Sequence, residues 1–223
     1  MWNETSNQPH LIDALNAIRK VHHLIVKERN VHTIVNRVCT LLTETPCYQS
    51  AWIGLIGDDG KFYAAAESGL NHSFEEIQFR LLHGWTPACF EKSLTRDHPF
   101  FQPKTASSCE TCLFRNLHRG YSILTAGIGY DEHVFGIIAV SLPENIARNP
   151  DEQQMFQEMA DDIGLALHSI RTEQERLQGV AEIQRIKDNF MLAFKSSPAA
   201  LAITRITDGK FMIINEAYTR IMG

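Results

Sequence analysis

The fold is decided by residues 107–143, SSCETCLFRNLHRGYSILTAGIGYDEHVFGIIAVSLP. Residues 134–142 form an almost unbroken apolar run, which is typical of a strand covered on both faces. Residues 122–130 are predicted as its partner strand, reached through a turn at residues 131–133. We therefore predict two antiparallel strands at the centre of a sheet.

A short helix is predicted just before this hairpin, from Ser107 to about Arg119. Ser107 and Glu110 have the spacing of a capping box at the start of a helix. Cys109 and Cys112 then fall in the first two turns, where unpaired backbone amides lower the pKa of a thiol. Cys109 is predicted to be the more reactive of the two because it lies closer to the helix start.

The sequence leaves three interpretations of these thiols open: structural packing, a redox-active pair, or contact with a metal or haem. A single CxxC supplies only half of a typical zinc site. Residues that would complete a metal site together with Cys109 and Cys112 are Cys89 and His118, with His83 and His98 as further candidates. The cofactor is therefore unknown, with haem, a metal or none all open.

Composition excludes some classes of function. The formal net charge is −5 and no basic run is present, which argues against a nucleic-acid-binding surface. No apolar stretch reaches the length of about 18 residues needed to cross a bilayer, and the polar N-terminus does not resemble a signal peptide. The 5 cysteines form no dense framework, which fits a reducing compartment. We therefore expect a cytoplasmic protein.

The first part of the chain predicts two helices, at residues 11–30 and 34–45, and a hairpin of residues 48–56 and 61–67. Residues 69–120 are predicted to form a loose insertion with helices at 73–82 and 87–94 and a short strand at 100–101. Such an insertion on a rigid sheet favours a ligand site. The candidate pocket residues are Trp85, Cys89, Phe90, Cys109, Cys112, His118 and Tyr121. The alternative for Trp85 and Phe90 is that they seal the edge of the core.

A helical pattern of more than 40 residues follows Pro150. A seven-residue apolar repeat in it predicts a coiled-coil seam and a parallel homodimer through residues 156–194. The seam consists of Phe156, Ile163, Ile170 and Leu177, with Ala160, Leu167, Gln174 and Ala181. After Gly179 the repeat shifts to Ile183, Ile186 and Phe190. The alternative is a helix that packs only on its own domain.

Residues 20–175 resemble a GAF domain, most specifically in RGYSILTAGIGYDEHVFGIIAVSLP at residues 119–143. Residues 189–223, NFMLAFKSSPAALAITRITDGKFMIINEAYTRIMG, are similar to the opening of a PAS domain. The resemblance implies an α+β fold with a central antiparallel sheet flanked by helices. The predicted divisions are a leader and helix start at 1–19, the GAF-like domain at 20–175, a coiled-coil linker at 171–195, and a truncated PAS-like domain at 196–223 that does not fold alone.

By this resemblance the chain looks like the input module of a modular prokaryotic signalling protein, such as a sensor histidine kinase or a diguanylate cyclase. It is expected to bind a small ligand or sense redox state, without enzymatic activity of its own. The sequence has no phosphate-binding glycine loop, no GGDEF-like run and no NKFDE-like signature, and His168 lacks the acidic neighbour of a phospho-accepting histidine. The alternative is a structural dimerisation module with no ligand. An enzyme with Cys109 or Cys112 as its nucleophile is the least supported interpretation.

Overall fold

A computed structural model describes residues 8–70, 74–94, 99–103, 112–117 and 120–223. The predicted leader lies largely outside these ranges, and its last residues already belong to the first helix. The helices are α1 Gln8–Lys27, α2 Val31–Thr43, α3 Phe74–Leu82, α4 Ala88–Leu94, a 3-10 helix Leu113–Asn116, α5 Glu144–Ala147, α6 Pro150–Ser196 and α7 Glu216–Met222. The strands are β1 Ser50–Ile56, β2 Phe62–Ser68, β3 Phe100–Gln102, β4 Ser122–Tyr130, β5 His133–Leu142, β6 Ala202–Thr204 and β7 Phe211–Ile214.

The first five strands form one antiparallel sheet in the order β2-β1-β5-β4-β3. The predicted hairpin of β4 and β5 is confirmed, and β5 lies at the centre of the sheet. His133 pairs with Tyr130, so the turn consists only of Asp131 and Glu132. Asp131 has a φ of 56°, the left-handed conformation that tight hairpin turns require and that aspartate tolerates.

One face of the sheet carries the larger hydrophobic core, which packs against α1, α2 and the first half of α6. Phe156, Ile163 and Ile170 are buried in this core, and Ala160 and Leu167 lie beside them. The coiled-coil prediction is therefore wrong for residues 156–170, because the domain's own sheet already covers that stripe. A seven-residue repeat shows that one helix face is apolar, but it does not show what covers that face.

The start of α6 is fixed by a buried polar contact. The Tyr48 hydroxyl, just before β1, donates a hydrogen bond to Oε1 of Glu152 in the first turn of α6. Burial, and then the neighbouring Glu152, raise the pKa of Tyr48 well above its usual value. Tyr48 thus stays protonated and remains a donor.

Two glycines bring α6 and β4 into close contact. A Cβ atom added at Gly164 of α6 would lie 2.1 Å from the carbonyl oxygen of Gly129 in β4. Backbone atoms on both sides make that contact, so a rotamer change in a side chain cannot relieve it.

Replacing Gly164 with alanine is therefore expected to destabilise the domain by about 1–3 kcal/mol, because α6 must move away from the sheet. The matched control is Gly179→Ala in the same helix, where nothing lies within 4 Å of the added Cβ. That change should stabilise the helix by about 0.5–1 kcal/mol. Urea denaturation and hydrogen exchange along α6 measure both effects. Two variants with the same sign of change would contradict the close contact.

The chain divides into two compact units, residues 1–170 and 171–223, and the boundary falls within α6. The second unit contains the rest of α6, the β6–β7 hairpin and α7. Its centre is the buried side chain of Asn215, which caps α7. Among the described residues, no helix is both long and apolar enough to cross a membrane.

Candidate functional site

The second face of the sheet presents three rows of side chains across neighbouring strands. The rows follow from the strand register and from the alternation of side chains between the two faces. They are Ser50, Ser141, Ile123 and Gln102; then Trp52, Ala139, Thr125 and Phe100; then Gly54, Ile137 and Gly127. Along the strands, this face therefore begins with a row rich in polar side chains, continues with the row that contains Trp52, and ends with the row that contains two glycines.

An aromatic cluster covers these rows, contributed by the sheet, α3, α4, the connection between these two helices and the 3-10 helix. Its members are Trp52, Phe62, Phe74, Trp85, Phe90 and Phe114. Phe114 is stacked on Trp52, with ring centroids 4.6 Å apart and an interplanar angle of 16°. Its ring also lies 6.3 Å from that of Phe74 and 6.2 Å from that of Trp85. Phe114 is therefore the central ring of the cluster.

The segment that carries Phe114 differs from the predicted helix of residues 107–119. Residues 104–111 lie outside the described part of the chain, and the described helix is a single 3-10 turn that begins at Leu113. Cys112 has an extended backbone, with φ −77° and ψ 132°, and precedes that turn. The prediction that Cys112 lies in the second turn of an α-helix is therefore wrong. The 3-10 turn buries Phe114 against Trp52, and the predicted cap at Ser107 and Glu110 lies outside the described residues.

Hydroxyl groups connect α4 to the sheet beneath the cluster. Ser93 Oγ and Thr125 Oγ1 lie 2.6 Å apart, and Ser93 also donates to the Cys89 carbonyl at 2.8 Å. At the polar end of the face, the Ser50 and Ser141 hydroxyls are hydrogen-bonded to each other. Thr125 also donates to the Phe100 carbonyl at 3.3 Å, so these buried hydroxyls already have hydrogen-bond partners within the protein.

The predicted pocket residues fall into three groups. Trp85, Cys89, Phe90 and Cys112 all belong to or border the aromatic cluster. Tyr121 lies apart at the end of the sheet, where its hydroxyl donates to Gln49 Oε1 at 3.1 Å. Cys109 and His118 lie outside the described residues. Among the described residues, no three His, Cys, Asp or Glu side chains come together as a metal site.

Cys89 and Cys112 are neighbouring thiols at the edge of the cluster, and neither forms a disulfide. Burial raises the pKa of Cys89 to about 12, and the nearby Cys112 adds to the rise. Burial also raises the pKa of Cys39 far above its ordinary value, as expected from its position in α2. Cys89 is thus a thiol rather than a thiolate at neutral pH.

Cys89 is therefore expected to react very slowly with iodoacetamide at pH 7, because burial keeps it in the thiol form. The rate should rise about tenfold per pH unit towards pH 12. In urea the same residue should titrate near the free-thiol pKa of about 8.5. Peptide mass spectrometry of alkylated protein measures both series. Equal rates at pH 7 with and without urea would show that Cys89 is a reactive thiol.

The described residues form two open grooves near the aromatic cluster, and Phe74 of the cluster lines one of them. One, of about 510 Å³, lies beside the β4–β5 turn and is lined by residues of α4, β4 and α6, including Ser93, Gly127 and Asp161. The other, of about 450 Å³, lies between α2, the outer edge of β2 and α3, and includes Asn36, Glu67 and Gln78. The predicted pocket residues Trp85, Cys89, Phe90 and Cys112 line neither groove.

Sequence reasoning missed Trp52 and Phe114, the two rings at the centre of the cluster. Trp52 had a usable signal, because it is the single aromatic residue of a mostly small and aliphatic strand and alternates with Gly54. Phe114 had no comparable signal, since the residues around it, such as Leu113 and Arg115, show no helical or strand-like periodicity of apolar side chains. Its role depends on a contact across about 60 positions of chain, which local patterns do not encode.

Comparison with known proteins identifies the fold. No family profile matches the chain, and no curated protein does. Among solved structures, the GAF domain of a phosphoenolpyruvate-protein phosphotransferase from Coxiella burnetii matches with a TM-score of 0.54 and 13% identity, covering 74% of this chain and 98% of that one. The A. aeolicus nlh2 GAF domain in an inactive state matches with a TM-score of 0.52 and 15% identity, covering 74% and 99%.

A third match is the free methionine-R-sulfoxide reductase from Neisseria meningitidis in complex with its substrate. It has a TM-score of 0.51 and 10% identity, and the match covers 72% of this chain and 91% of that one. About three quarters of the chain therefore has the GAF-domain fold, as the sequence predicted. At these identities the likeness establishes the fold alone.

Proposed function

We propose that the chain is the sensory input module of a signalling protein, in which the aromatic face of the GAF-like sheet receives a small molecule. The observation that supports this most is the composition of that face. Trp52 is 1% exposed and stacked, and hydroxyl pairs from Ser50 and Ser141 and from Ser93 and Thr125 lie on the same face. A stacking surface bordered by a few buried polar groups is the usual lining of a small-molecule site.

The relay element of the proposal is α6. Its first half is part of the core that packs on the opposite face of the same sheet, and its second half continues beyond the first unit as one helix. A change on the aromatic face alters strands β1, β4 and β5, and Gly129 of β4 touches Gly164 of α6 directly. By this route the module would act on the PAS-like segment at residues 196–223 and on an output domain of kinase or cyclase type, with no catalysis in the chain itself.

The test of this proposal uses the whole chain, purified under anaerobic conditions. Native mass spectrometry and an absorption spectrum reveal a retained small molecule, haem or metal. Hydrogen exchange is then compared before and after removal of that molecule by unfolding and refolding. Protection that changes both on β1, β4 and β5 and within residues 171–196 supports the relay. Exchange that changes only at the sheet, or nowhere, contradicts it.

The second half of α6 also supports a homodimer. Its apolar side chains are exposed: Leu177, Val180, Ile183, Ile186, Phe190 and Leu192. Side-chain ion pairs such as Arg171–Glu175 and Arg176–Glu173 are worth only a few tenths of a kcal/mol each at the surface. In proteins most helical stability comes from packing of an apolar face rather than from such pairs. We propose that a second copy of the chain covers these exposed apolar side chains. The predicted dimer seam is thereby limited to residues beyond Ile170.

Replacing Ile186 with aspartate is expected to convert this dimer into a monomer at micromolar concentration, because the seam would bury a carboxylate. The matched control is Gln178→Asp, which adds the same charge to an exposed position of the same helix. Light scattering coupled to size exclusion measures the mass. A monomeric wild type, or equal effects from both changes, would remove the homodimer from the proposal.

A second candidate is a structural module that binds no ligand. Phe114 supports it, because its ring fills the centre of the aromatic face and is 3% exposed. Two results together would favour this candidate. The purified protein would retain no small molecule, and the backbone amides of α3 and α4 would exchange no faster than those of α1 and α2.

A further inference from the structure

We infer that the outer edge of β2 is a docking site for an extended, basic segment of a partner protein, which adds to the sheet as a further strand. The site is the groove of about 450 Å³ between α2, β2 and α3, called here the β2-edge groove. Residues 65–67 of β2 line it, and three residues of a partner strand, at about 3.4 Å each, would face them. The inference goes beyond the proposed sensory function, because Trp52 and Phe114 do not line this groove.

The backbone of β2 has hydrogen-bonding groups on its outer side that no strand uses. β2 is an edge strand, which pairs only with β1. The carbonyl of Ala65 accepts a hydrogen bond from Gln78 Nε2 of α3 at 3.1 Å, so Ala65 turns its backbone groups away from β1. In an antiparallel pair the same holds for Glu67, two residues further along. Among the described residues, the N–H groups of Ala65 and Glu67 have no acceptor.

The contact from Gln78 shows how the backbone of a partner would bind. Its side-chain amide donates to the Ala65 carbonyl, where the N–H of a paired strand would lie. Covering an edge in this way limits unwanted pairing, and a half-buried side chain can rotate away without unfolding its helix. A partner strand replaces this single bond and adds bonds from the N–H groups of Ala65 and Glu67. The edge is therefore available to a segment that pairs along several residues.

The charges around the groove select a basic segment. Glu67 and Glu75 line it, and its described lining residues include no lysine, arginine or histidine. Glu75 is exposed and has no ion-pair partner among the described residues, whereas its neighbour Glu76 pairs with Arg80 at 3.1 Å. Glu67 lies opposite Trp52, so both carboxylates are on the side of the sheet that α3 covers. Since the side chains of a strand alternate, basic residues are expected at every second position of the partner.

The experiment uses the whole chain, isotope-labelled for NMR, and a synthetic hexapeptide of alternating lysine and valine. The peptide is expected to shift the amide signals of Ala65 and Glu67 and to slow their hydrogen exchange. The amide of Ala66 should change little, because it is directed at β1. A peptide of the same charge with N-methylated backbone amides should bind at least several-fold more weakly. The counterpart with glutamate in place of lysine should not bind.

The charge requirement is tested with two neighbouring residues of α3. Glu75→Gln is expected to weaken binding of the lysine peptide about 2- to 5-fold at low salt. The matched control is Glu76→Gln, which removes the same charge from a side chain that does not line the groove. It should leave the affinity unchanged. Equal losses from both variants would show that the peptide responds only to the net charge of the protein, and would overturn the inference.

Three further results would overturn it. The first is the absence of a saturable shift in β2 at about 1 mM lysine peptide. The second is protection in β4 rather than in β2, or equal binding of the N-methylated peptide. The third is protection of Ala65 and Glu67 that rises with protein concentration alone, which would mean that a second copy of the chain occupies the groove. The sensory function is tested separately, by the retained molecule and by exchange within residues 171–196.

Discussion

Replacing Ile163 with aspartate is expected to unfold the first unit rather than only to dissociate a dimer. Ile163 is 0% exposed and lies in the core between α6 and the sheet. Loss of the buried isoleucine side chain lowers the free energy of unfolding by about 2–5 kcal/mol. Burial of a carboxyl group that has no hydrogen-bond partner lowers it by roughly several kcal/mol more. The sum is comparable to the whole stability of a typical domain, about 5–15 kcal/mol. Circular dichroism and urea denaturation measure the outcome.

The control for Ile163→Asp is Ile186→Asp, the same change in the same helix at a side chain that is 58% exposed. That variant should keep the fold of the first unit and change only the association state. A well-folded Ile163→Asp monomer would restore the coiled-coil seam at residues 156–170 and contradict the packing described above.

Replacing Asn215 with leucine is expected to remove the order of the β6–β7 hairpin and α7, at a cost of about 3–5 kcal/mol. Asn215 Nδ2 donates to the carbonyls of Phe194, Ser197 and Ala199 at 3.1, 3.3 and 2.8 Å. Its Oδ1 accepts from the N–H groups of Leu201 and Tyr218, both at 2.9 Å. Leucine satisfies none of these groups. Hydrogen exchange over residues 201–214 measures the loss.

Asn215→Asp separates the two halves of this network. Aspartate keeps an oxygen that accepts from Leu201 and Tyr218 and remains a good N-cap, but it cannot donate to the three carbonyls. Its effect should be intermediate. Wild-type exchange in both variants would show that the side chain of Asn215 does not organise this unit. That residues 196–223 fail to fold alone stays a prediction.

Much of the sheet could be predicted from sequence because its signals are local. The apolar run of β5, the partner strand β4 and the turn at Asp131 lie within about 20 residues of one another, and the structure pairs them as expected. Helices α3 and α4 also agree with the predicted ranges to within a residue or so. These elements depend on period and turn chemistry, which a single sequence contains.

The errors share a different physical origin. The stripe through Phe156, Ile163 and Ile170 could be read correctly as apolar, but the choice between a partner helix and the chain's own sheet depends on distant strands. Within the described residues 112–117, a 3-10 turn likewise stands where an α-helix was predicted, and its Phe114 packs on Trp52 of β1. Of the candidate site, Trp85 and Phe90 were found from their position in the insertion, whereas the stacked pair at its centre was not.

The unequal lengths of β3 and β4 have a consequence for solubility. β3 pairs only with Ile123–Thr125, so among the described residues the outer edge of β4 beyond Thr125 has no strand beside it. The end of α4 packs on the face of the sheet beside that edge, with the Ser93 carbonyl 3.2 Å from the place of a Gly127 Cβ. An uncovered, glycine-containing edge is a template for pairing with other chains. Since α4 also borders the aromatic cluster, conditions that loosen it are expected to promote aggregation through β4 before the domain unfolds.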